Sequence, residues 1–175
     1  GDGLLQSYAR RLALAELGRN ARRVSVPELI EVYRSHEPVI ELLPDARRAV
    51  VAAATSGGVG IITDGPAISQ RNKVAALGVD RWVDTIVCTD ELGSGRSKPN
   101  PEAFELVMAS SALPPGAHTY VGDNPRKDFV APRALGWRTV RVRRPGQLHF
   151  DVPSDDDVAL EISSLDELCS MLDSG

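Results

Sequence analysis

Two apolar residues lead into a glycine and a pair of carboxylates in the segment Tyr120-Val121-Gly122-Asp123-Asn124-Pro125-Arg126-Lys127-Asp128. A short apolar run that ends in Gly-Asp-Asn is typical of a buried strand that passes into a turn, because these three residues accept turn conformations readily. The residues from about 128 to 135 predict a helix after this turn. The segment therefore predicts a strand, a polar turn and a helix in direct succession.

The same order recurs on both sides of this segment. Upstream, the apolar pattern predicts helices at about 4–17, 27–35, 46–55, 69–77 and 101–110, with strands at 61–63, 85–88 and 119–121. Downstream it predicts strands at 139–142 and 158–162 and a last helix at 165–172. Alternation of short apolar strands with crossover helices predicts an α/β fold, in which helices cover both faces of a parallel sheet.

The composition limits the classes of function. With 42% hydrophobic and 25% charged residues, the 175-residue chain has the material for one compact domain and a small appendage. Its net charge of -4 argues against nucleic-acid and anionic-membrane partners, which both select basic surfaces. No apolar run is long enough to span a membrane and no secretory leader is recognised, so we expect a cytoplasmic protein.

Four arginines lie on and beside the strand predicted at 139–142, namely Arg138, Arg141, Arg143 and Arg144. Basic residues in such a position are typical of an exposed sheet edge, where they discourage pairing with other chains. The pattern therefore predicts that this strand lies at an edge.

Polar residues come at the ends of the predicted strands, where open parallel sheets bind their ligands. The segments are Thr63-Asp64-Gly65, Lys98-Pro99-Asn100-Pro101, and Gly122-Asp123-Asn124 with Asp128 further on. A hydroxyl group with free backbone N–H groups, a lysine and two carboxylates can hold a phosphoryl group together with a hard cation. The combination predicts that Thr63 and Lys98 bind phosphate and that Asp123 binds Mg²⁺.

Each of these residues alone also has an ordinary explanation. Threonine is common at the end of a strand, a lysine before proline is usually a solvated loop residue, and Gly-Asp-Asn is common in turns. Their order and placement together favour a site.

With these residues the chain resembles the haloacid dehalogenase-like hydrolases over about residues 45–172, in particular phosphatases with a helical cap. The segment at 61–65 is similar to the family's second motif, and the resemblance implies that Thr63, with Asp64 and Gly65, binds the phosphoryl group. Lys98 is similar to the third-motif lysine, which steadies the phosphate and the nucleophile. The segment at 120–128 resembles the fourth motif, which implies that Asp123 ligates magnesium directly, with Asp128 and Asn124 in support.

The resemblance further implies a Rossmann-like core at residues 44–175 and a partial helical cap at residues 1–43. The family's reaction begins with an aspartate nucleophile on a central first strand, in the pattern Asp-x-Asp. That pattern is missing from its expected place, and Gly1-Asp2-Gly3 resembles only its second half. We therefore expect an incomplete site, with the first strand supplied by an amino-terminal segment or by a partner chain such as the second copy in a homodimer.

The function implied is a Mg²⁺-dependent phosphohydrolase that acts on a small phosphorylated metabolite through an aspartyl phosphate. The alternative is a catalytically inactive protein of the same fold that serves as an interaction module. A phosphoacceptor receiver domain is disfavoured, because there the acidic pair precedes the threonine and lysine, whereas here Thr63 and Lys98 precede Asp123. A dinucleotide-binding fold is disfavoured too, because the glycines at 57–60 precede a strand instead of following one.

Overall fold

The computed structural model describes residues 25–172, in which helices and strands alternate. The helices are α1 (Val26–Ser35), α2 (Pro44–Ser56), α3 (Ala67–Leu77), α4 (Glu102–Ser111), α5 (Val130–Ala134) and α6 (Leu165–Leu172). The strands are β1 (Gly60–Thr63), β2 (Thr85–Cys88), β3 (Thr119–Gly122), β4 (Arg138–Val142) and β5 (Leu160–Ile162). This succession, with parallel strands, confirms the predicted α/β class.

The described strands form two parallel sheets. In the first, β1 pairs with β2, and Thr63 lies opposite Cys88. In the second, the order is β3-β4-β5, and Gly122 lies opposite Arg141. Within residues 25–172, β1 and β3 are each paired on one side only. These two strands carry the predicted phosphate and magnesium residues at their carboxyl ends.

Helix α4 packs across both sheets. Phe104, which is fully buried, contacts Tyr120 of β3 in an edge-to-face arrangement with ring centroids 5.0 Å apart. The apolar cluster around Phe104 also includes Ile62 of β1. Gly60 of β1 lies so close to the helix that an added Cβ would come within 3.0 Å of Val107 Cγ1. The helix therefore holds the two sheets together through apolar contacts.

The prediction that the arginine-rich strand lies at an edge is wrong. Strand β4 is the middle strand of its sheet, and Arg141 is fully buried. Its guanidinium group donates hydrogen bonds to Ser154 Oγ and to the carbonyl oxygen of His149, both at 2.7 Å. Buried arginine is stable only where such acceptors are present, and the loop before β5 supplies them. Arg141 therefore anchors this loop instead of blocking an edge.

Helix α1 begins with a capping box, in which Ser25 and Glu28 satisfy each other's backbone N–H groups. It packs against α3, since Ser69 Oγ donates to the carbonyl oxygen of Arg34 at 2.9 Å and Asn72 Nδ2 donates to that of Ser35 at 3.2 Å. The helix predicted at 4–17 and the partial motif at Asp2 lie outside the described residues. The boundary predicted between cap and core at 43/44 stays a prediction.

None of the helices within residues 25–172 has the length and apolar character needed to cross a membrane.

Candidate active site

The predicted site residues converge at the carboxyl ends of β1 and β3. The loop after β1 contains Asp64, the loop before α4 contains Lys98, and the loop after β3 contains Asp123 and Asp128. Hydrogen bonds and ion pairs join the three loops to one another.

Thr63 is the last residue of β1. Its hydroxyl group donates a hydrogen bond to Gln70 Oε1 on α3 at 2.8 Å. Gly65 follows with a φ of 112°, a conformation that favours glycine, and a Cβ here would lie 2.9 Å from Gln70 Nε2. The tight turn after β1 and the side chain of Gln70 together fix the orientation of the Thr63 hydroxyl group.

Asp64 accepts hydrogen bonds from three segments of the chain. Its Oδ1 accepts from Thr89 Oγ1 at 2.9 Å and from the Lys98 backbone N–H at 3.2 Å. Its Oδ2 accepts from Lys127 Nζ at 2.6 Å. Burial would raise the pKa of Asp64, but these donors, led by Lys127, outweigh it and hold the pKa below the usual value. The carboxylate is therefore charged, and both of its oxygens already accept hydrogen bonds from the protein.

Lys98 is buried, and its ammonium group lies between the carboxylate of Asp128 and the hydroxyl group of Tyr120. Its side chain is 9% exposed, and Nζ lies 2.9 Å from Asp128 Oδ1 and 3.0 Å from the Tyr120 hydroxyl oxygen. Burial would lower the pKa of Lys98, but Tyr120 and the carboxylate of Asp128 outweigh burial and raise the pKa above its usual value. Burial raises the pKa of Tyr120 to about 12. At neutral pH the site therefore presents an ammonium group beside a neutral phenol.

Asp128 and Asp123 lie in different environments. Asp128 is 3% exposed, and its Oδ2 accepts from the backbone N–H groups of Asn124 at 2.9 Å and Asp123 at 3.3 Å. Asn124 Oδ1 accepts from the Arg126 N–H at 3.1 Å. Asp128 and Asn124 thus shape the loop, whereas no hydrogen bond or ion pair from within residues 25–172 engages the carboxylate of Asp123.

These residues fit a hard cation only in part. Among the described residues, no three His, Cys, Asp or Glu side chains lie close enough together to hold a metal ion. Asp123 offers carboxylate oxygens, which Mg²⁺ prefers, but Asp128 is committed to Lys98 and to backbone N–H groups. The described part of the chain therefore supplies one free ligand group and not a complete coordination shell.

Three residues that the sequence interpretation did not assign belong to this arrangement: Thr89, Tyr120 and Lys127. Tyr120 and Lys127 lie within the segment that resembles the fourth motif, so their position could have suggested a role. Thr89 directly follows β2, and the rule that ligands meet strand ends could have pointed to it. The partners of all three depend on contacts between distant segments.

A cavity of about 400 Å³ lies elsewhere, beside Trp82 and Asp84. Asp84 comes before β2 and accepts a hydrogen bond from the N–H of Val59, which comes before β1. The cavity is therefore at the amino ends of these strands, opposite the converging loops, and it is not a candidate for the same chemistry.

The chain thus has a Rossmann-like α/β core, in which a threonine, a lysine and carboxylates meet at the carboxyl-end side of the parallel strands. The model of the haloacid dehalogenase-like hydrolase family matches residues 9–142. The chain therefore belongs to the haloacid dehalogenase-like hydrolases.

Relatives of the chain include phosphatases. Over 162 residues, the chain is 28% identical to a glyceraldehyde 3-phosphate phosphatase of Methanocaldococcus jannaschii, an alignment that covers 92% of this chain and 69% of the relative. Over 135 residues it is 30% identical to a phosphoserine phosphatase of Thermus thermophilus, with 77% of this chain and 53% of the relative covered. The chain thus spans only part of the length of these relatives.

A solved structure supports the fold. The crystal structure of a phosphatase of the same family from Thermococcus onnurineus superimposes with a TM-score of 0.66 at 24% identity, and covers 95% of this chain and 80% of that one. At this level of identity the likeness concerns the fold alone.

Proposed function

We propose that this chain is the core of a Mg²⁺-dependent phosphohydrolase that acts on a small phosphorylated metabolite through an aspartyl phosphate. The observation that carries the proposal is the position of Lys98, a buried ammonium group held between Asp128 and Tyr120 where the loops after β1 and β3 meet. A fixed positive charge of this kind is suited to a phosphoryl group whose charge grows during transfer.

The chain's own residues would bind and orient the substrate. Lys98 would neutralise one phosphoryl oxygen, and the Thr63 hydroxyl group and the backbone N–H groups of the turn at 64–65 would hold others. Because Thr63 donates to Gln70 in this structure, its proton would turn from Gln70 to the phosphate when substrate binds. Asp128 would keep the Lys98 ammonium group in place through their ion pair.

Asp123 would bind the magnesium ion, with further ligands from a segment outside residues 25–172 and from the substrate. The bound ion would neutralise charge on the phosphoryl oxygens. The free carboxylate of Asp123 supports this role, and the absence of a complete ligand set in the described residues makes the additional ligands necessary.

The aspartate nucleophile would come from a strand between β1 and β3. Both strands have an unpaired side in the described part of the chain, and the loops that follow them are in contact. A strand there would satisfy backbone groups of both neighbours and place its carboxyl end beside Lys98. It would belong to an amino-terminal segment or to a partner chain.

Phosphate monoesters of small metabolites are the substrates to test first. The names of the relatives point to glyceraldehyde 3-phosphate and phosphoserine, and sugar phosphates, phosphoglycolate and nucleotides extend the set.

The test is release of phosphate from an aryl phosphate, with Mg²⁺ and with a chelator, by these 175 residues alone and by a protein in which a strand ending in Asp-x-Asp precedes them. We expect hydrolysis by the longer protein, dependent on Mg²⁺, and none by the 175 residues alone. Asp123→Asn in the longer protein should lower the rate by about 100-fold or more, comparable to the loss of other charge-stabilising groups. Asp151→Asn, on an exposed loop, is the control.

An unchanged rate in Asp123→Asn would disprove the metal role. A longer protein that binds no phosphate and hydrolyses none of the esters would favour the alternative, an inactive interaction module of the same fold.

A further inference from the structure

The carboxylate of Asp64 connects three other segments of the candidate site. It accepts from Thr89 after β2, from the backbone of Lys98 before α4, and from Lys127 after β3. Its side chain is 13% exposed, so these contacts are largely shielded from water. A carboxylate in this state would repel a phosphoryl group, so its side chain is poorly suited to be a direct phosphate ligand.

The link to Lys127 crosses from one sheet to the other. Asp64 follows β1 of the first sheet, and Lys127 follows β3 of the second, 63 residues later. No strand pairing joins the two sheets within residues 25–172. The ion pair, at 2.6 Å, is therefore a direct polar connection between the two halves of the site.

The same carboxylate also fixes Lys98. The backbone N–H of Lys98 is held by Asp64, while its Nζ reaches Asp128 and Tyr120. Asp64 thus holds the backbone of Lys98, from which the lysine side chain extends. Its ion pair with Lys127 holds the loop after β3 close to the loop after β1.

We propose that Asp64 is a positioning residue, whose carboxylate, paired across the two sheets with Lys127, sets the spacing of the loops that hold a phosphoryl group. This inference rests on the proposed function, and it replaces a direct phosphate contact of the Asp64 side chain with an indirect role.

The experiment measures binding of inorganic phosphate in the presence of Mg²⁺ by calorimetry, using the longer protein in which a strand ending in Asp-x-Asp precedes the 175 residues, and its variants Asp64→Asn, Lys127→Met, Lys127→Arg and the Asp64→Asn/Lys127→Met double variant. Removal of a negative charge by Asp64→Asn would by itself tighten the binding of an anion. If Asp64 acts by positioning, the same variant weakens binding, by about tenfold. The sign of the change therefore separates the two roles.

The remaining variants test the pair. We expect Lys127→Met to weaken binding like Asp64→Asn, the double variant to be no weaker than either single variant, and Lys127→Arg to bind within about twofold of the parent, because it keeps the ion pair. Arg48→Met is the matched control, since Arg48 forms an exposed ion pair with Asp166 away from the site. Tighter binding in Asp64→Asn, or additive losses in the double variant, would overturn the proposal.

A second measurement is independent of phosphate binding. In ¹H–¹⁵N spectra, Lys127→Met should shift the amide signals of Lys98 and of Thr89, which lie on other loops, and Arg48→Met should leave them unchanged. If the longer protein binds no phosphate, the proposed function fails, but these shifts still decide the positioning role. Unchanged Lys98 and Thr89 signals in Lys127→Met would show that the pair positions nothing. The side chain of Lys127 is 35% exposed, so this variant should fold even if Asp64→Asn does not.

Discussion

Gly122 ends β3 at a point where no side chain fits. A Cβ at this position would lie 2.8 Å from Asp128 Oδ2 and 3.0 Å from Tyr120 Cε1. Both of these residues contact Lys98 Nζ. Glycine here is therefore required by close packing against the groups that hold the lysine, and not by an unusual backbone conformation.

We expect Gly122→Ala to push Asp128 away from Lys98. Overpacking of this kind should lower the free energy of unfolding by about 1 to 3 kcal/mol. It should also weaken phosphate binding, because Lys98 loses its support. Thermal unfolding and phosphate titration measure the two effects. Gly116→Ala is the control, since a Cβ there meets no atom within 4 Å, and equal behaviour of the two variants would contradict the argument.

The carboxylate of Asp45 joins helix α2 to helix α6. Asp45, near the start of α2, accepts from the N–H of Leu165 at 2.9 Å and from Ser164 Oγ at 3.1 Å, and it pairs with Arg144 after β4. Burial would raise the pKa of Asp45, but these partners outweigh it and hold the pKa below its usual value. One charged carboxylate thus joins two helices and a strand end.

The lowered pKa of Asp45 predicts a pH-dependent stability. Because the folded pKa is below the unfolded one, the stabilisation is fully present above about pH 4 and is lost as the pH falls through the folded value. Asp45→Asn should lower the free energy of unfolding by about 1 to 3 kcal/mol at neutral pH, and the difference from the parent should shrink in acid. Denaturant unfolding at a series of pH values measures this. Asp151→Asn, on an exposed loop, is the control, and a loss in Asp45→Asn that does not shrink at all as the pH falls below about 4 would refute the sign.

Element boundaries were predicted well where the pattern is local. Strand β2 and helix α6 have the predicted limits, because apolar spacing and nearby turn residues decide them. Helix α5 is shorter than predicted, Val130–Ala134 instead of about 128–135. The N–H groups of Lys127 and Asp128 both donate to the carbonyl oxygen of Asn124, so the chain forms a turn there before the helix begins.

Across the two sheets, the strands differ in the number of neighbouring strands to which they are hydrogen-bonded. Strand β4 is hydrogen-bonded on both sides, whereas β1 and β3 have one partner each in the described part of the chain. Backbone groups without a partner strand are open to water.

In the 175 residues alone, we therefore expect backbone amides of β4 to exchange with deuterium most slowly, and those of β1 and β3 that point away from their partner strands to exchange fast. Residue-resolved hydrogen exchange by NMR measures this, and β5, the outer strand of the second sheet, provides an internal reference. Equal protection of β1, β3 and β4 would mean that another segment pairs with β1 and β3.

The α/β class, the order of the elements and the polar residues that follow the strands could all be predicted from the amino-acid sequence. These features depend on residues close together in the chain, through apolar periodicity and turn chemistry. The same local rule went wrong for Arg141, which looked like an edge residue and is fully buried in the middle strand.

Which loops meet one another depends on the packing of the whole chain. Asp64 and Lys127 are 63 residues apart, and no local pattern of the sequence pairs one with the other. The partner of a charged side chain depends on how the sheets pack through α4, which no local pattern encodes. The difference between Asp123 and Asp128 arises in the same way. Asp128 is buried and pairs with Lys98, whereas the carboxylate of Asp123 has no such partner within residues 25–172.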